Sequence, residues 1–335
     1  MVDKFSMLTW QVWSGTEVAW DALLCGFHDY SVYQSYRWGE HKARFGWRPI
    51  RLVGLNGHTI TSMVQVLVKF YPLSIGVAWI PGGPVGDVAH WDAGLQGQIS
   101  DIVGARLLYC RFNSMKPLLS EDALTLSASG WRRPSYPLLS GLSLVYQPAL
   151  REAESLKQCS ANWRHNLRRS EKRNLRVYLW KNPDIDKMIR VYDLMQHYKK
   201  LSPQTTREEI ESMIDIFHDK CVLVRCDDED GNMLAFRGAL INGEKAWDIF
   251  AATTPSGRNV YASHASFWEL MRQCRDRNVQ WYDMGGVDPV NNAGVYDFKR
   301  GTGAKDLEYL GEWEYSRPSV FHVIANRIIA WRGYS

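Results

Sequence analysis

The pattern of hydrophobic and polar positions predicts a definite order of elements in the first half of the chain. Residues alternate from Arg48 to Val53, as they do in a half-buried strand. The dipeptide Asn56-Gly57 then marks a hairpin turn. Further elements are predicted as a strand from Ile60 to Phe70, a strand from Gly76 to Ile80, a helix near Asp92 to Ala105 and a buried strand from Leu107 to Phe112. The order is hairpin, strand, helix, strand.

The second half of the chain repeats this order. The predicted elements are strands at Cys221 to Cys226, Met233 to Ile241 and Ala246 to Ala252, a helix near Tyr261 to Arg277 and a strand at Gln280 to Met284. Two copies of one plan imply an α+β protein of two lobes, each a mixed twisted sheet flanked by helices. We expect the first lobe to span residues 1–147 and the second 148–335.

A basic helical segment, residues 151–176, forms the predicted entry into the second lobe, and another helical segment follows from Asp184 to His218. From Trp163 to Arg176 there are six Lys or Arg residues and one Glu. Like charges at i, i+4 spacing mildly destabilise a helix, so a phosphate-bearing ligand or an anionic membrane would offset their cost. A solvated helix face is the alternative.

Composition narrows the class of protein. Apolar residues make up 45% and charged residues 23% of the 335, as in a globular chain, and the net charge is +4. Six cysteines without a CxxC spacing indicate reduced thiols, and no histidine pattern suggests a metal site. The N-terminus lacks an apolar signal segment, and no run of 18 apolar residues occurs. We expect a cytoplasmic protein without a metal or cofactor.

Four motifs follow one another along the chain. They are Gln34-Ser35-Tyr36-Arg37-Trp38 with Lys42 and Gly46-Trp47; Pro81-Gly82-Gly83-Pro84-Val85; the basic helix with Asn166, Arg168, Arg169, Lys172 and Arg173; and Tyr282-Asp283-Met284-Gly285-Gly286 with Gly294-Val295-Tyr296-Asp297-Phe298-Lys299 and Tyr309-Leu310-Gly311-Glu312. In this order they resemble the FemABX family. The resemblance implies a tandem GNAT-like fold and transfer of an amino acid from aminoacyl-tRNA to an amine of a cell-envelope, peptidoglycan-type precursor.

The resemblance also implies roles for individual residues. Lys299 would stabilise the oxyanion or bind the tRNA end from the end of a short strand, and Asp283 would orient the amine or accept its proton. For Asp283 a structural carboxylate bonded to backbone N–H groups is the alternative. The implied substrate-binding residues are Lys42, Trp38, Arg207, Phe298, Tyr296, Gly285 and Gly286. The implied tRNA- or phosphate-binding residues are Arg164, Arg168, Arg169, Lys172 and Arg173.

Local sequence adds detail to three of these assignments. Lys42 lies one helical turn after Trp38, so the ammonium and the ring should share a face. Arg207 follows an N-cap-like stretch, Ser202 to Thr206, at the start of a helix. Lys42 and Arg207 would then converge on a phosphate of the acceptor. Gly285 and Gly286 would allow positive φ values close to the ligand.

Two positions depart from the family pattern. The strand of the first lobe ends Arg111-Phe112-Asn113, where a well-studied type of member carries an acid after the Phe. Where that type of family member has an aromatic residue a few positions earlier, this chain has Leu108. Both positions face the acceptor in that type, so we expect an acceptor other than the usual muramyl peptide.

The chemistry needs no covalent enzyme intermediate. A neutral amine attacks the ester directly if both are held close and the oxyanion is stabilised, and the chain has no Gly-x-Ser-x-Gly elbow. An acyl-CoA-dependent GNAT acting on an amino sugar of a surface glycan or a nucleotide sugar is the alternative enzyme. Its glycine nest for pyrophosphate is degenerate here, at Ser256 to Ala262. A non-catalytic nucleic-acid-binding protein is the second alternative.

Overall fold

Residues 8–149, 151–200 and 205–333 are described by the computed structural model, and they form thirteen strands and twelve α-helices. The strands are β1 Leu8–Val12, β2 Arg48–Asn56, β3 Thr59–Tyr71, β4 Ile75–Pro81, β5 Val85–Gly86, β6 Leu107–Pro117, β7 Leu142–Tyr146, β8 Arg176–Leu179, β9 Cys221–Asp227, β10 Met233–Asn242, β11 Lys245–Thr253, β12 Trp281–Gly286 and β13 Lys305–Arg317. The helices are α1 Glu17–Leu24, α2 Tyr36–Ala43, α3 Ala93–Val103, α4 Ser120–Ala128, α5 Glu152–Gln158, α6 Ala161–Glu171, α7 Ile185–Lys199, α8 Arg207–Phe217, α9 Pro255–Asn259, α10 Ala262–Arg275, α11 Ala293–Gly301 and α12 Phe321–Gly333.

The chain divides into two compact units. Unit 1 contains Met1–Gly141 and Glu308–Ser335, and unit 2 contains Leu142–Leu307. In unit 1 the strand order is β1-β2-β3-β4-β6-β13, and all neighbours are antiparallel except β4 and β6. Trp91, Phe112 and Trp131 lie at the centre of its core, where the Trp131 indole N–H donates to the Trp91 carbonyl at 2.6 Å.

Unit 2 is built the same way. Its strand order is β7-β12-β11-β10-β9-β8, and only β11 and β12 run parallel. The aromatic rings of Tyr146, Trp163, Phe267 and Tyr282 fill its core. The order β9-β10-β11-α10-β12 repeats β2-β3-β4-α3-β6 of unit 1 with the same strand directions. The predicted α+β fold of two GNAT-like lobes is therefore confirmed.

The division between the units differs from the predicted 1–147 and 148–335. Strand β7 follows unit 1 in sequence but pairs with β12, while β13 follows unit 2 in sequence but pairs with β6. Each of these strands extends a sheet of the other half of the chain. The C-terminal residues from Glu308 onward therefore pack in unit 1.

The helical segments between the two copies are shorter than the pattern indicated. The basic segment is two helices, α5 and α6, and the second ends at Glu171 because Asn174 takes a left-handed conformation with φ +50°. Lys172 and Arg173 lie beyond its end, and β8 begins at Arg176. The segment from Asp184 to His218 is likewise two helices, α7 and α8. Residues 202–204 of the predicted cap lie outside the described residues. Among the described helices, none is long and apolar enough to cross a membrane.

Candidate active site in unit 2

A cavity of about 850 Å³ opens in unit 2. Helices α7, α9, α10 and α11 contribute to its wall together with strands β10, β11 and β12. Four of its lining side chains are cationic, namely Lys199, Arg237, Arg258 and Lys299, and one is a carboxylate, Asp248. The wall therefore carries an excess of positive charge, which suits an anionic ligand.

A buried ion pair lies on the sheet side of this cavity. Arg237 of β10 donates from Nη2 to Asp248 of β11, and the Tyr282 hydroxyl donates to the other oxygen of Asp248 at 3.1 Å. Burial works against the charge of Arg237, but the carboxylate outweighs it, so the pKa of this guanidinium is raised. The guanidinium also lies over the ring of Phe298, 5.5 Å from its centroid. Its Nε–H has no partner among the described residues, which leaves one buried donor unused.

Lys299 lies in helix α11, whereas the sequence predicts it at the end of a short strand. Its side chain is buried, and Nζ donates to the carbonyl oxygens of Gly285 at 3.2 Å and Gly286 at 3.3 Å. An ammonium has three N–H donors, so one remains beside the cavity. Burial lowers the pKa of Lys299, although the negative charge of Asp248 acts in the opposite direction. Of the two glycines only Gly285 takes a positive φ, +77°.

Asp283 has the contacts of a structural carboxylate. It is fully buried, and its Oδ1 accepts hydrogen bonds from the Ser143 hydroxyl at 2.5 Å and from the Gly285 N–H at 2.7 Å. It is not among the residues that line the cavity. Asp283 therefore fixes the Gly285 turn, and that turn supplies the carbonyls that hold Lys299. This is the second of the two roles expected for it.

Aromatic rings form another part of the cavity wall. His264 packs against Phe298 and Tyr261, with ring centroids 5.1 Å and 5.9 Å away. Burial lowers the pKa of His264 to about 4, so the ring is neutral at pH 7, and its Nδ1 has no partner among the described residues. Arg169 of α6 places its guanidinium 4.6 Å from the centroid of Tyr261. The Tyr261 backbone is left-handed, with φ +61°, so it holds the ring in place at some cost in strain.

The five basic residues predicted to bind tRNA divide into two groups. Arg164 donates to the carbonyls of Leu156, Lys157 and Cys159, so it caps the C-terminal end of α5 and does not join the others. The other four are exposed: Arg168, Arg169, Lys172 and Arg173. Of these, Arg169 contacts a cavity residue. The basic surface that α6 contributes is therefore smaller than the i, i+4 spacing of its Arg and Lys residues predicts.

The two aromatic residues of the last motif that were predicted to bind substrate, Phe298 and Tyr296, also lie in different surroundings. Phe298 lines the cavity. The Tyr296 hydroxyl instead donates to Asp306 at 3.1 Å and accepts a hydrogen bond from Arg300. Tyr296 is not among the lining residues: its ring packs against the core of unit 2, and its hydroxyl joins a surface cluster.

In unit 1 the Lys42 ammonium lies 5.3 Å from the centroid of the Trp38 ring, which confirms that they share a helix face. Trp38 is buried, and its ring packs edge-on against Tyr33. Leu108 is 1% exposed within the hydrophobic core, so it does not face a ligand as the family pattern suggested. Asn113 is half-buried within β6, which continues to Pro117 rather than ending at Asn113 as predicted.

Arg207 is held by carboxylates in unit 2. It forms ion pairs with Asp186 and, at 3.1 Å, with Glu211. The cap predicted before it is present, because Thr206 and Glu209 form a reciprocal capping box. A phosphate at Arg207 would compete with these carboxylates for the guanidinium.

Several cavity residues were not predicted from the sequence, above all Arg237, Asp248 and His264. The sequence does contain a signal for Arg237 and Asp248. Each is a charged residue inside an otherwise apolar predicted strand, and the two strands are consecutive with opposite charges. Such residues are rarely buried without a partner. His264 carries no comparable signal, because the rings around it belong to residues far apart in the sequence, Trp163, Tyr261 and Phe298.

Comparison with known proteins finds similarity in the same part of the chain. A model of the FemAB family matches residues 201–326, which contain most of the cavity. A UDP-N-acetylmuramoylpentapeptide-lysine N(6)-alanyltransferase from Weissella viridescens is 24% identical over 294 residues, covering 82% of this chain and 86% of that protein.

Solved structures share the fold. The crystal structure of a FemX protein superposes with a TM-score of 0.78 at 17% identity, over 91% of this chain and 97% of that one. A tandem GNAT protein from the clavulanic acid pathway gives a TM-score of 0.55 at 9% identity, over 92% and 98%. The chain is therefore similar to FemAB-family aminoacyltransferases in residues 201–326, and it shares the fold of FemX over most of its length.

Proposed function

We propose that the protein transfers an aminoacyl group from aminoacyl-tRNA to an amine of a peptidoglycan precursor in the cytoplasm, without a covalent enzyme intermediate. The observation that carries the proposal is the cavity of unit 2, where the Lys299 ammonium lies in a wall of four cations and one carboxylate. A 3′-terminal adenosine with its ester and phosphates has the size and charge for such a site. The named activity of the Weissella relative supports the choice of precursor.

The reaction follows from the donors beside the cavity. The neutral amine attacks the ester carbonyl, a C–N bond forms, and the C–O bond to the ribose breaks, so that the 3′-oxygen leaves with a proton. Negative charge develops on the carbonyl oxygen in between. The remaining N–H of Lys299 is our candidate to stabilise that charge, and Arg237, whose buried Nε–H is unpaired, is a second cation of the same wall. A low-dielectric wall strengthens both contacts.

Binding of the donor would use the other cations. Lys199 and Arg258 line the cavity, and neither forms an ion pair with a described residue. Arg169 adds a third positive charge next to Tyr261. We propose that these three side chains bind phosphates close to the 3′ end of the tRNA, because phosphate contacts dominate the affinity of such complexes.

On the acceptor side we propose that Lys42 and Arg207 each bind a phosphate of the precursor. The Trp38 ring would hold the ammonium of Lys42 in place. The departure at Asn113 remains a reason to expect a different amine-bearing part, whereas Leu108 gives no information because it belongs to the core.

The decisive experiment supplies the protein with a pool of charged tRNAs and a set of UDP-linked muramyl peptides that differ in their amine-bearing residue, lysine among them. Transfer of a labelled amino acid to one of these peptides is expected, and RNase added beforehand should abolish it. A parallel reaction contains acetyl-CoA in place of the charged tRNA. Transfer from acetyl-CoA that resists RNase would refute the tRNA donor and identify the protein as an acyl-CoA-dependent enzyme.

If the tRNA is bound but nothing is transferred to any amine, the non-catalytic alternative would be correct. A filter-binding measurement on the same samples separates this result from an inactive preparation. Preparations that neither bind nor transfer contradict the proposed function altogether.

A further inference from the structure

The C-terminal helix α12 is attached to unit 1 through one face. Phe321 and Ala325 are buried in a small cluster with Tyr109. The Asn326 amide donates to both carboxylate oxygens of Glu314, at 2.9 Å and 2.7 Å. The helix is therefore fixed in its orientation by packing and by buried hydrogen bonds.

The opposite face of α12 is apolar and exposed. It consists of Val323, Ile324, Ile328 and Trp331, together with Val320 directly before the helix, and we call these residues the outer face. Trp331 is 72% exposed and Ile324 is 52% exposed. A helix that already buries one face against a protein usually presents polar residues on the other. An apolar face with a Trp marks a binding surface.

The ionised side chains of the segment that carries the outer face are all positive. From Arg317 to the last residue, Ser335, the sequence contains no Asp or Glu. Arg317 and Arg327 are exposed, and neither forms an ion pair with a described residue. Arg327 lies between Val323 and Trp331 on the same side of the helix. Apolar side chains with Trp and flanking Arg are the composition of helices that lie in the plane of an anionic bilayer.

We infer that the outer face of α12 docks on the surface of a membrane that contains anionic phospholipids. The helix has 13 residues and is about 20 Å long. Lying flat, it would insert its apolar side chains among the acyl chains and leave the guanidiniums at the headgroups. A second copy of the chain fits less well, because a symmetric contact would bring Arg327 of both copies together with no acid from α12 to pair them.

Flotation with vesicles tests the inference without any substrate, so its outcome is separate from that of the transfer reaction. The full chain should float with phosphatidylcholine vesicles that contain phosphatidylglycerol, and at least about tenfold less with phosphatidylcholine alone. A variant with Ile324→Ser, Ile328→Ser and Trp331→Ser should lose about tenfold or more of its binding. The matched control is Leu124→Ser on α4 of the same unit, since Leu124 is also 72% exposed, and it should bind like the wild type.

The charge is tested separately with Arg327→Glu, which should weaken binding to anionic vesicles and have little effect on phosphatidylcholine. Melting curves check that each variant is folded. If the triple variant melts early, Trp331→Ser alone carries the test. Absence of binding to the anionic vesicles would overturn the inference, as would binding that the outer-face substitutions leave unchanged. A dimer seen by light scattering that the triple variant dissociates would assign the outer face to a second copy instead.

Discussion

Replacement of Lys299 by Met tests the catalytic assignment most directly. Methionine keeps an unbranched stem of similar length, so the packing next to Phe298 should survive while the ammonium is lost. If the third N–H of Lys299 stabilises the oxyanion, kcat should fall by roughly 10²- to 10³-fold, which is about 2.7–4 kcal/mol of activation free energy. The KM for either substrate should change little, because the contact forms only in the transition state.

The same substitution should have a small effect on the free energy of unfolding. Two hydrogen bonds to the Gly285 and Gly286 carbonyls are lost, and bonds from a charged donor are worth about 1.5–3 kcal/mol each. Against this, the lowered pKa of Lys299 shows that burial of its charge is unfavourable. Removal of the charge recovers that cost. The loss in kcat should therefore exceed any change in stability measured by urea denaturation.

The pH dependence of stability and of kcat tests the role of Lys299 independently. The folded pKa of Lys299 lies below its usual value of 10.5. Between the two values the unfolded chain binds more protons than the folded one, so stability should rise with pH across that window. Activity should move in the opposite direction. An ammonium that stabilises the oxyanion is lost as pH rises through the folded pKa, so kcat should fall there, whereas a general base would make kcat rise.

The assay is single-turnover transfer of a labelled amino acid at saturating substrates, with Lys305→Met as the control. Lys305 is an exposed lysine of unit 2, so this variant should behave like the wild type. A Lys299→Met enzyme with wild-type kcat would refute the oxyanion role. If kcat and the free energy of unfolding fall together, the lysine acts mainly through the Gly285 turn.

Three further variants test the remaining contacts. Asp248→Asn should reduce the free energy of unfolding by about 3–5 kcal/mol in urea denaturation, because it leaves the buried Arg237 without a countercharge; a loss under 1 kcal/mol would contradict this. Arg169→Ala should raise the KM for aminoacyl-tRNA and make the slope of log affinity against log salt shallower by about one, with kcat unchanged. Lys42→Ala or Arg207→Ala should raise the KM for the acceptor by a factor that corresponds to about 1.5–3 kcal/mol of lost binding free energy. A changed donor KM with a constant acceptor KM would show that these residues do not bind the acceptor.

The repeated order of strands and helices could be predicted because each element follows from local pattern. The hairpin at Asn56-Gly57 is one example, and the observed strands β2 and β3 on either side match the predicted alternation to within a few residues. The exchange of β7 and β13 between the two halves could not be predicted in the same way. A five-residue apolar strand such as β7 carries no local information about which sheet it will join.

The candidate site shows the same limit at the level of single residues. The motif at Tyr282 to Lys299 contains residues beside the cavity, yet it does not separate Lys299, which lines the cavity, from Asp283, which supports the turn beneath it. Both are charged and both follow the motif. They differ because the Asp283 carboxylate is used up by Ser143 and a backbone N–H, whereas the Lys299 ammonium keeps a donor.

Charged residues inside predicted strands are the more informative signal in a chain of this kind. A buried charge costs several kcal/mol unless it is paired, so an Arg in the centre of β10 requires a countercharge nearby. Asp248 on the adjacent strand meets that requirement with one oxygen for Arg237 and the other for Tyr282. The guanidinium nevertheless keeps a buried, unpaired Nε–H on a residue that lines the cavity. Such a donor costs free energy while it is unpaired, and in the proposed reaction the oxygen of the ester would be its partner.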